Sequence, residues 1–162
     1  MLNFLKMGND ELLEKLKELF PDASIEQGND WPELLFEHAQ VADGKFLEVV
    51  QTLKSTNEFL FNYLFCETCV DWKTHFNMVY HLESTQYRHS MVLKVKLNHE
   101  QPSIDSLSFV YRTAEMHERE IFDLFGIVFT GHPNLKRIIL TEDWVGHPLR
   151  KDYDDPINMI KL

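Results

Sequence analysis

Two neighbouring segments of the chain alternate between apolar and other side chains, and this pattern constrains the fold more than any other feature. Large apolar residues occupy every second position from 76 to 82 and again from 91 to 97. Successive side chains of a β-strand point to opposite faces, so the alternation predicts two strands, each with a buried and a solvated face. Because the intervening residues 84–90 are polar, they are predicted to form the loop of a β-hairpin.

Apolar residues at helical spacing predict three helices. The first covers residues 9–20 and has Asn9 as its N-cap. The second is shorter and is capped by Asp43. The third covers residues 106–125 and ends at Gly126, because glycine readily takes the left-handed conformation found at helix C-termini.

Further strands are predicted near residues 23–26, near residues 34–41 and in an aromatic-rich stretch within residues 59–72. The order of elements is therefore helix, two strands, helix, three strands and a further helix. Such an order favours an α+β fold of two layers, with the helices packed on a mixed β-sheet. We predict a globular domain of this type over residues 1–126.

Residues 127–162 have neither a helical nor a strand period, yet they contain many large apolar side chains. Long irregular segments inside compact domains are uncommon and usually functional. An apolar segment of this kind favours association with another protein, because a large exposed apolar patch is unfavourable in water. The sequence thus predicts an extended C-terminal tail, residues 127–162, that docks on partner subunits. Its large apolar residues are Ile127, Phe129, Leu135, Ile138, Ile139, Leu140, Trp144 and Leu149.

The charge balance excludes several classes of partner. Acidic residues outnumber basic ones by 26 to 16, which gives a formal net charge of -10. Phosphate backbones and anionic lipids would repel such a chain, so no nucleic-acid partner is predicted. The longest apolar stretch, residues 59–65, is far shorter than the ~20 residues of a membrane span. The first residues also lack the features of a signal peptide, so we expect a cytoplasmic protein that reaches a membrane only through partners.

A dense run of charged, aromatic and glycine residues lies between positions 118 and 152. It begins with Glu-Arg-Glu-Ile-Phe-Asp-Leu-Phe-Gly-Ile-Val-Phe, continues with Gly-His-Pro-Asn-Leu-Lys-Arg and ends with Pro-Leu-Arg-Lys-Asp. These motifs, in this order and spacing, closely resemble the signature of the C subunit family of bacterial-type NADH-quinone oxidoreductase, or respiratory complex I. The resemblance covers roughly residues 59–152. It departs from the family pattern at Met116, His117 and Lys136, where size or charge is kept.

The resemblance implies a specific place and role for the chain. Members of this family are structural subunits of the hydrophilic arm, on the cytoplasmic side of the cell inner membrane, with the C-terminal tail lying along the D subunit, which forms the quinone site. They hold no cofactor of their own, since FMN, the iron–sulfur clusters and quinone belong to partner subunits. We therefore expect a non-catalytic subunit that supports assembly and electron transfer from NADH to quinone. The equivalent subunit of a membrane-bound [NiFe] hydrogenase or formate hydrogenlyase is an alternative, because those complexes share this subunit.

The motif also gives candidate residues for the partner interface. Arg119 is placed to form i,i+4 ion pairs with Glu115 and Asp123 on a helix, which as an alternative describes an ordinary solvated face. Arg137 lies among apolar neighbours, so docking is expected to bury its guanidinium and pair it with a carboxylate of the partner. The expected interface residues are Glu118, Arg119, Glu120, Asp123, Phe125, Gly126, His132, Pro133, Arg137, Pro148, Leu149, Lys151 and Asp152.

Two other chemistries were weighed against this role. Cys66 and Cys69 have the spacing of a thiol oxidoreductase motif, but their aromatic flanks predict a strand. At a rise of ~3.3 Å per residue their Cα atoms would lie about 10 Å apart, too far for a disulfide. A zinc site made of these cysteines with His132 and His147 is disfavoured, because the two histidines are much further apart in sequence than usual zinc ligands. A free-standing thiol or metal enzyme is therefore the weaker hypothesis.

Overall fold

A mixed five-stranded sheet forms the centre of the molecule in the computed structural model, which describes residues 7–155. The strand order is β1-β2-β5-β4-β3, and β2 and β5 are parallel while the other neighbours are antiparallel. The strands of the sheet are β1 (Ser24–Gln27), β2 (Pro32–Glu37), β3 (Tyr63–Asp71), β4 (His75–Glu83) and β5 (Ser90–Asn98). The helices are α1 (Asn9–Leu19), α2 (His38–Val41), α3 (Lys45–Ser55) and α4 (Ala114–Phe125).

The predicted hairpin is confirmed. Strands β4 and β5 pair antiparallel along their whole length, from His75 opposite Asn98 to Glu83 opposite Ser90. The apolar residues at alternate positions of both strands are buried, and they share one core with apolar residues of α1 and α3. The α+β fold class is therefore confirmed, with helices packed on a mixed sheet. No helix within residues 7–155 is long and apolar enough to cross a membrane.

The predicted end of the second strand is wrong. Strand β2 ends at Glu37, and the next four residues turn into α2 instead of extending the strand to residue 41. The reason is a reciprocal capping box, in which Glu37 and Gln40 each accept a hydrogen bond from the other's backbone N–H.

The two predicted N-caps, Asn9 and Asp43, are also wrong. Gly8 precedes α1, whereas Asn9 lies inside the helix and donates its side-chain amide to the carbonyl of Asp30 at 3.0 Å. Gly44, with φ of 84°, precedes α3 in the left-handed region. Glycine populates that region without steric cost, so it takes the position assigned to Asp43 from the sequence.

The third helix starts later than predicted, at Ala114 rather than near residue 106. The preceding residues form turns, because the backbone N–H of Leu107 and the hydroxyl of Ser106 bind a carboxylate within α4. A second, small sheet pairs β6 (Ser103–Asp105) in parallel with β7 (Val128–Thr130).

The globular core extends past Gly126, the predicted end of the domain. Ile127 and Phe129 are buried in the same core as the sheet and the helices. A chain cut after Gly126 would therefore lose core residues and one strand, contrary to the proposed domain boundary. The segment that follows, residues 131–155, is called the tail segment below, and residues 156–162 of the predicted tail lie outside the described residues.

Candidate partner interface

Helix α4 ends in a turn that sends the tail segment back over the helix. Gly126 closes the helix in the left-handed conformation, with φ of 76°, and its N–H donates to the carbonyl of Phe122 at 2.9 Å. A Cβ atom at this position would lie 2.6 Å from Cδ2 of His147. Glycine is thus required twice at this turn, once for the backbone angle and once for the close approach of the histidine ring.

The carboxylate of Asp123 organises the tail segment. Its side chain is fully buried, and it accepts a hydrogen bond from Arg137 at 2.7 Å. It also accepts the successive backbone N–H groups of Ile138, Ile139 and Leu140 at 2.9, 2.7 and 3.0 Å. Burial alone would raise the pKa of Asp123, but these donors outweigh it and lower the pKa to about 2. The tail therefore bends around an ionised, fully satisfied carboxylate.

Arg137 completes this network from the tail side. Besides the Asp123 carboxylate, its guanidinium donates to the carbonyls of Asp123 at 3.0 Å, Trp144 at 3.3 Å and Gly146 at 2.9 Å. Only 16% of its side chain is exposed. The expected pairing of a desolvated Arg137 with a carboxylate is thus found, but the carboxylate belongs to this chain and not to a partner. Arg137 acts as an internal clamp on the turns between residues 137 and 146.

Glu118 and Arg119, two of the helical charges of the motif, bind groups of this chain. Glu118 is fully buried and accepts the Ser106 hydroxyl and the Leu107 N–H, each at 2.5 Å. Arg119 donates to the backbone carbonyls of Lys136 at 3.2 Å and Arg137 at 3.4 Å. In the part of the chain that the structure describes, it forms neither of the i,i+4 ion pairs expected from its spacing. The motif therefore holds α4, the preceding turns and the tail segment together.

The end of the tail segment is attached to the sheet. The backbone N–H of Lys151 donates to the carboxylate of Asp71, at the end of β3, at 2.8 Å. Burial opposes ionisation of Asp71, but the N–H groups of Lys151 and Lys73 outweigh it and lower its pKa. Arg150 forms a two-pronged ion pair with Asp152 at 2.8 and 2.9 Å. The Lys151–Asp71 hydrogen bond, together with that of Arg150 to the carbonyl of His99, keeps the Pro-Leu-Arg-Lys-Asp stretch close to the main sheet.

With its polar groups bound internally, the tail segment turns several apolar side chains to the outside. Val145 is 85% exposed and Ile139 is 57% exposed, although both belong to the segment fixed by Asp123 and Arg137. We call these two residues, with Ile138 and Leu149, the docking surface. The sequence drew attention to three of the four as apolar residues without a period, but nothing in it marked Val145.

The predicted interface residues fall into three groups by exposure. Glu118 and Asp123 are buried and cannot contact a partner directly. The half-buried ones are Arg119, Phe125, Gly126, His132, Arg137 and Pro148. The exposed ones are Glu120, Pro133, Leu149, Lys151 and Asp152. A partner can therefore reach mainly the last group and the docking surface, while the motif residues that first suggested an interface shape it from beneath.

The cysteines do not have the setting of a reactive pair. Both lie on β3, as predicted, and both are free thiols. Burial raises the pKa of Cys69 and, together with the Glu67 carboxyl, that of Cys66, whereas a reactive thiol needs a lowered pKa. Within residues 7–155, the one group of three close potential metal ligands contains no cysteine and consists of Asp71, His99 and Asp152.

Comparison with known proteins places the chain in a family. The sequence model described as respiratory-chain NADH dehydrogenase, 30 Kd subunit, matches residues 39–157. The chain belongs to this family. The match includes the whole motif and the strands β3 to β5, so it contains the network around Asp123 as well as the docking surface.

Individual members of the 30 kDa subunit family agree with this assignment. The NADH-quinone oxidoreductase C subunit of Roseiflexus sp. (strain RS-1) is 39% identical over 151 residues, which cover 91% of this chain and 85% of the relative. A protein from Phocaeicola vulgatus, named as a C/D subunit of the same enzyme, is 43% identical over 97 residues, 59% of this chain and 19% of that protein. The solved structure of an Nqo5 fragment superposes with a TM-score of 0.63 at 25% identity, covering 78% of this chain and 98% of the fragment.

Proposed function

We propose that this chain is the C subunit of an NADH-quinone oxidoreductase and that it acts as a non-catalytic component docked against the D subunit. Membership of the 30 kDa subunit family supports the complex. Relatives named as C/D subunits support the D subunit as the neighbour, since a single protein is there named for both subunits. In this proposal FMN, the iron–sulfur clusters and quinone are held by partner subunits. The chain then lies on the cytoplasmic side of the cell inner membrane and is attached there through the complex.

The observation that carries the proposal is the fixed, outward-facing apolar surface of the tail segment. Docking an ordered surface costs less conformational entropy than docking a mobile one, because its side chains and backbone are already held in place. The Asp123–Arg137 network supplies this order to Ile139 and its neighbours. Glu120, Lys151 and Asp152 of the same motif are exposed charges, the kind of residue that forms the polar rim of protein interfaces.

The motif residues have a positioning role in this proposal. Asp123 and Arg137 bind backbone groups of the tail segment, and Gly126 lets the chain reverse next to His147. None of these contacts needs a substrate or cofactor. Their chemistry is that of buried hydrogen bonds, which set the shape of a surface, and the surface then recognises the D subunit.

The substitution Ile139→Lys tests the docking surface. Full burial of an exposed isoleucine side chain contributes about 1.5–3 kcal/mol. Docking can bury at most the exposed 57% of Ile139, so its contribution is about 0.9–1.7 kcal/mol, roughly a 4- to 18-fold change in affinity. A lysine at this position also places an unpaired charge in the interface, so we expect at least this loss in the binding of the D subunit. The matched control is Leu19→Lys, which puts the same charge on an exposed apolar residue at the end of α1.

The measurement is co-purification of the tagged full-length chain with its complex from membranes, with circular dichroism of the isolated variants as a check of folding. Equal recovery of the D subunit with both variants would contradict the assignment of the docking surface. Mass spectrometry of the wild-type preparation tests the complex itself. NADH- and flavin-binding subunits are expected, and [NiFe] hydrogenase subunits in their place would contradict the proposal in favour of the alternative.

A further inference from the structure

A buried carboxyl group without a hydrogen-bond partner lies beneath α4. Glu67 is in the middle of β3, directly opposite Tyr80 on β4, and only 4% of it is exposed. Neither of its carboxyl oxygens, nor the hydroxyl of the fully buried Tyr80, has a hydrogen-bond partner among the described residues. An isolated buried carboxylate is very unfavourable, and a protein normally avoids it by keeping the group protonated.

The second buried acid of this region has the opposite surroundings. Glu118 of α4 uses both oxygens, one for the Ser106 hydroxyl and one for the Leu107 N–H. Burial raises the pKa of Glu118 to about 7, but these donated hydrogen bonds stabilise its ionised form and oppose the increase. Glu118 is therefore the member of the pair better suited to carry a charge. Burial, followed by the charge of Glu118, raises the pKa of Glu67 well above its ordinary value.

In the described part of the chain, no lysine or arginine forms an ion pair with either acid. His132 is the nearest candidate, with Nε2 at 3.8 Å from a Glu118 oxygen. Its Nδ1 accepts the N–H of Asn134 at 3.0 Å and its Nε2 donates to the carbonyl of Glu115 at 3.0 Å. Both ring nitrogens of His132 are thus hydrogen-bonded to backbone groups and to neither of the two acids. The other titratable groups around the cluster are all acids, namely Cys66 beside Glu67, and Cys69 and Asp105 beside Tyr80.

We propose that Glu67 is held as a neutral carboxylic acid at neutral pH, and that its deprotonation loosens the packing of α4 on the sheet. The two acids then act as one unit that holds a proton between β3 and α4 and cannot ionise fully without separating the helix from the strand. Because α4 also carries Asp123, the proton at Glu67 supports the position of the tail segment. The spacing of residues along the chain does not indicate that Glu67 lies near the motif, since about fifty positions separate it from Glu118.

The sign of the pH dependence follows from the buried proton. Unfolded Glu67 releases its proton near the ordinary value of 4.5, whereas the folded protein retains it. Above that pH the unfolded state binds fewer protons, so stability falls as pH rises, until the folded pKa of Glu67 is reached. Over that window the unfolding constant increases by up to about tenfold for each pH unit.

Infrared spectroscopy of the full-length protein tests the protonation state directly. At about pH 7 the wild type should show the carbonyl stretch of a protonated carboxylic acid, and the isosteric variant Glu67→Gln should lose most of it. Exposed Glu26→Gln, on β1, is the matched control and should leave the band unchanged. A wild-type spectrum without a protonated carboxyl, or a band that persists in Glu67→Gln, would overturn the proposal.

Urea unfolding between about pH 5 and about pH 8 tests the consequence for stability. Glu67→Gln should unfold with a flatter pH dependence than the wild type and should be the more stable protein at the alkaline end. Equal pH dependence of the two proteins would contradict the inference. If Glu67→Gln fails to fold, carbon-13 NMR of the wild-type carboxyl groups decides the matter: a Glu67 signal that titrates near its ordinary value would refute it.

Discussion

Replacing Asp123 by asparagine tests whether a single carboxylate fixes the path of the tail segment. Asparagine keeps the size of the side chain but removes its charge and replaces one acceptor oxygen with a donor. Of the four groups that donate to the carboxylate, the guanidinium of Arg137 is affected most, because its charge stays largely buried without a counter-ion. The three backbone N–H groups lose the charged acceptor, and those that face the new amide NH₂ group have no acceptor there at all.

Two estimates give the loss of folding stability expected for Asp123→Asn. Removal of one partner of a buried ion pair typically costs about 3–5 kcal/mol. The drop of the Asp123 pKa from 3.8 to about 2 corresponds to about 2 kcal/mol of extra stabilisation of the ionised form. We therefore expect a destabilisation of about 3 kcal/mol, which for a chain of this length lowers Tm by roughly 6–12 °C.

Hydrogen exchange with thermal unfolding provides the assay for Asp123→Asn. If the tail segment detaches while the core stays folded, the amides of residues 138–140 should exchange about a hundredfold faster, because about 3 kcal/mol corresponds to roughly that factor. Asp143→Asn, an exposed position in the same segment, is the control and should change neither quantity. Unchanged protection at residues 138–140 together with an unchanged Tm would refute the assigned role of the carboxylate.

Three further predictions follow from the same contacts. Gly126→Ala should lower stability by more than about 1 kcal/mol, because the left-handed backbone alone costs about that much and the new Cβ also meets the ring of His147. Thermal melting followed by circular dichroism measures the loss, and an unchanged Tm would contradict it. Asp71→Asn should free the end of the tail segment, so limited proteolysis should cleave there faster than in the wild type, and an unchanged digestion rate would count against the attachment. The double variant Cys66→Ser, Cys69→Ser should assemble and support electron transfer almost normally, and loss of activity at normal subunit abundance would disprove a purely structural role for the thiols.

Acid should release the tail segment at a pH set by Asp123. Its folded pKa is lowered, so the stability that it contributes is fully present above about pH 4 and is lost as the pH falls through about 2. In Asp123→Asn this acid-dependent part should be missing. Exchange or fluorescence titrations of the two proteins between about pH 2 and about pH 5 measure the difference, and parallel curves would show that the carboxylate contributes nothing in this window.

Local patterns in the sequence were sufficient to predict most of the strands of the sheet. The alternation in β4 and β5 is a property of neighbouring residues, and the structure buries the predicted side of both strands. The parallel pairing of β2 with β5 joins Leu34 to Leu93 across almost sixty positions, and no local pattern reports a contact of that range. Helix ends were missed at Gly8 and Gly44 because glycine in a permissive backbone position displaced the polar residues that normally cap helices.

The motif was found from the sequence, but the direction in which its side chains point was not. Glu118 and Asp123 are predicted interface residues because they belong to the charged motif, and charged side chains are mostly exposed. The structure buries both, since their partners come from turns outside the helix, at Leu107 and at Ile138 to Leu140. Arg137 was predicted to find a carboxylate, and spacing along the chain could not tell that Asp123 supplies it. The burial of Glu67 depends on the packing of α4 over β3 and had no signal in the sequence.

In the proposed complex, the tail segment presents its outer apolar side chains to the D subunit. Site-specific photo-crosslinking in intact membranes tests it most directly, with a photoreactive amino acid placed at Val145, the most exposed residue of the docking surface. We expect a covalent product between position 145 and the D subunit, and none with that neighbour when the same amino acid replaces Leu19 on α1. A product with the D subunit from position 19 but not from position 145 would contradict it.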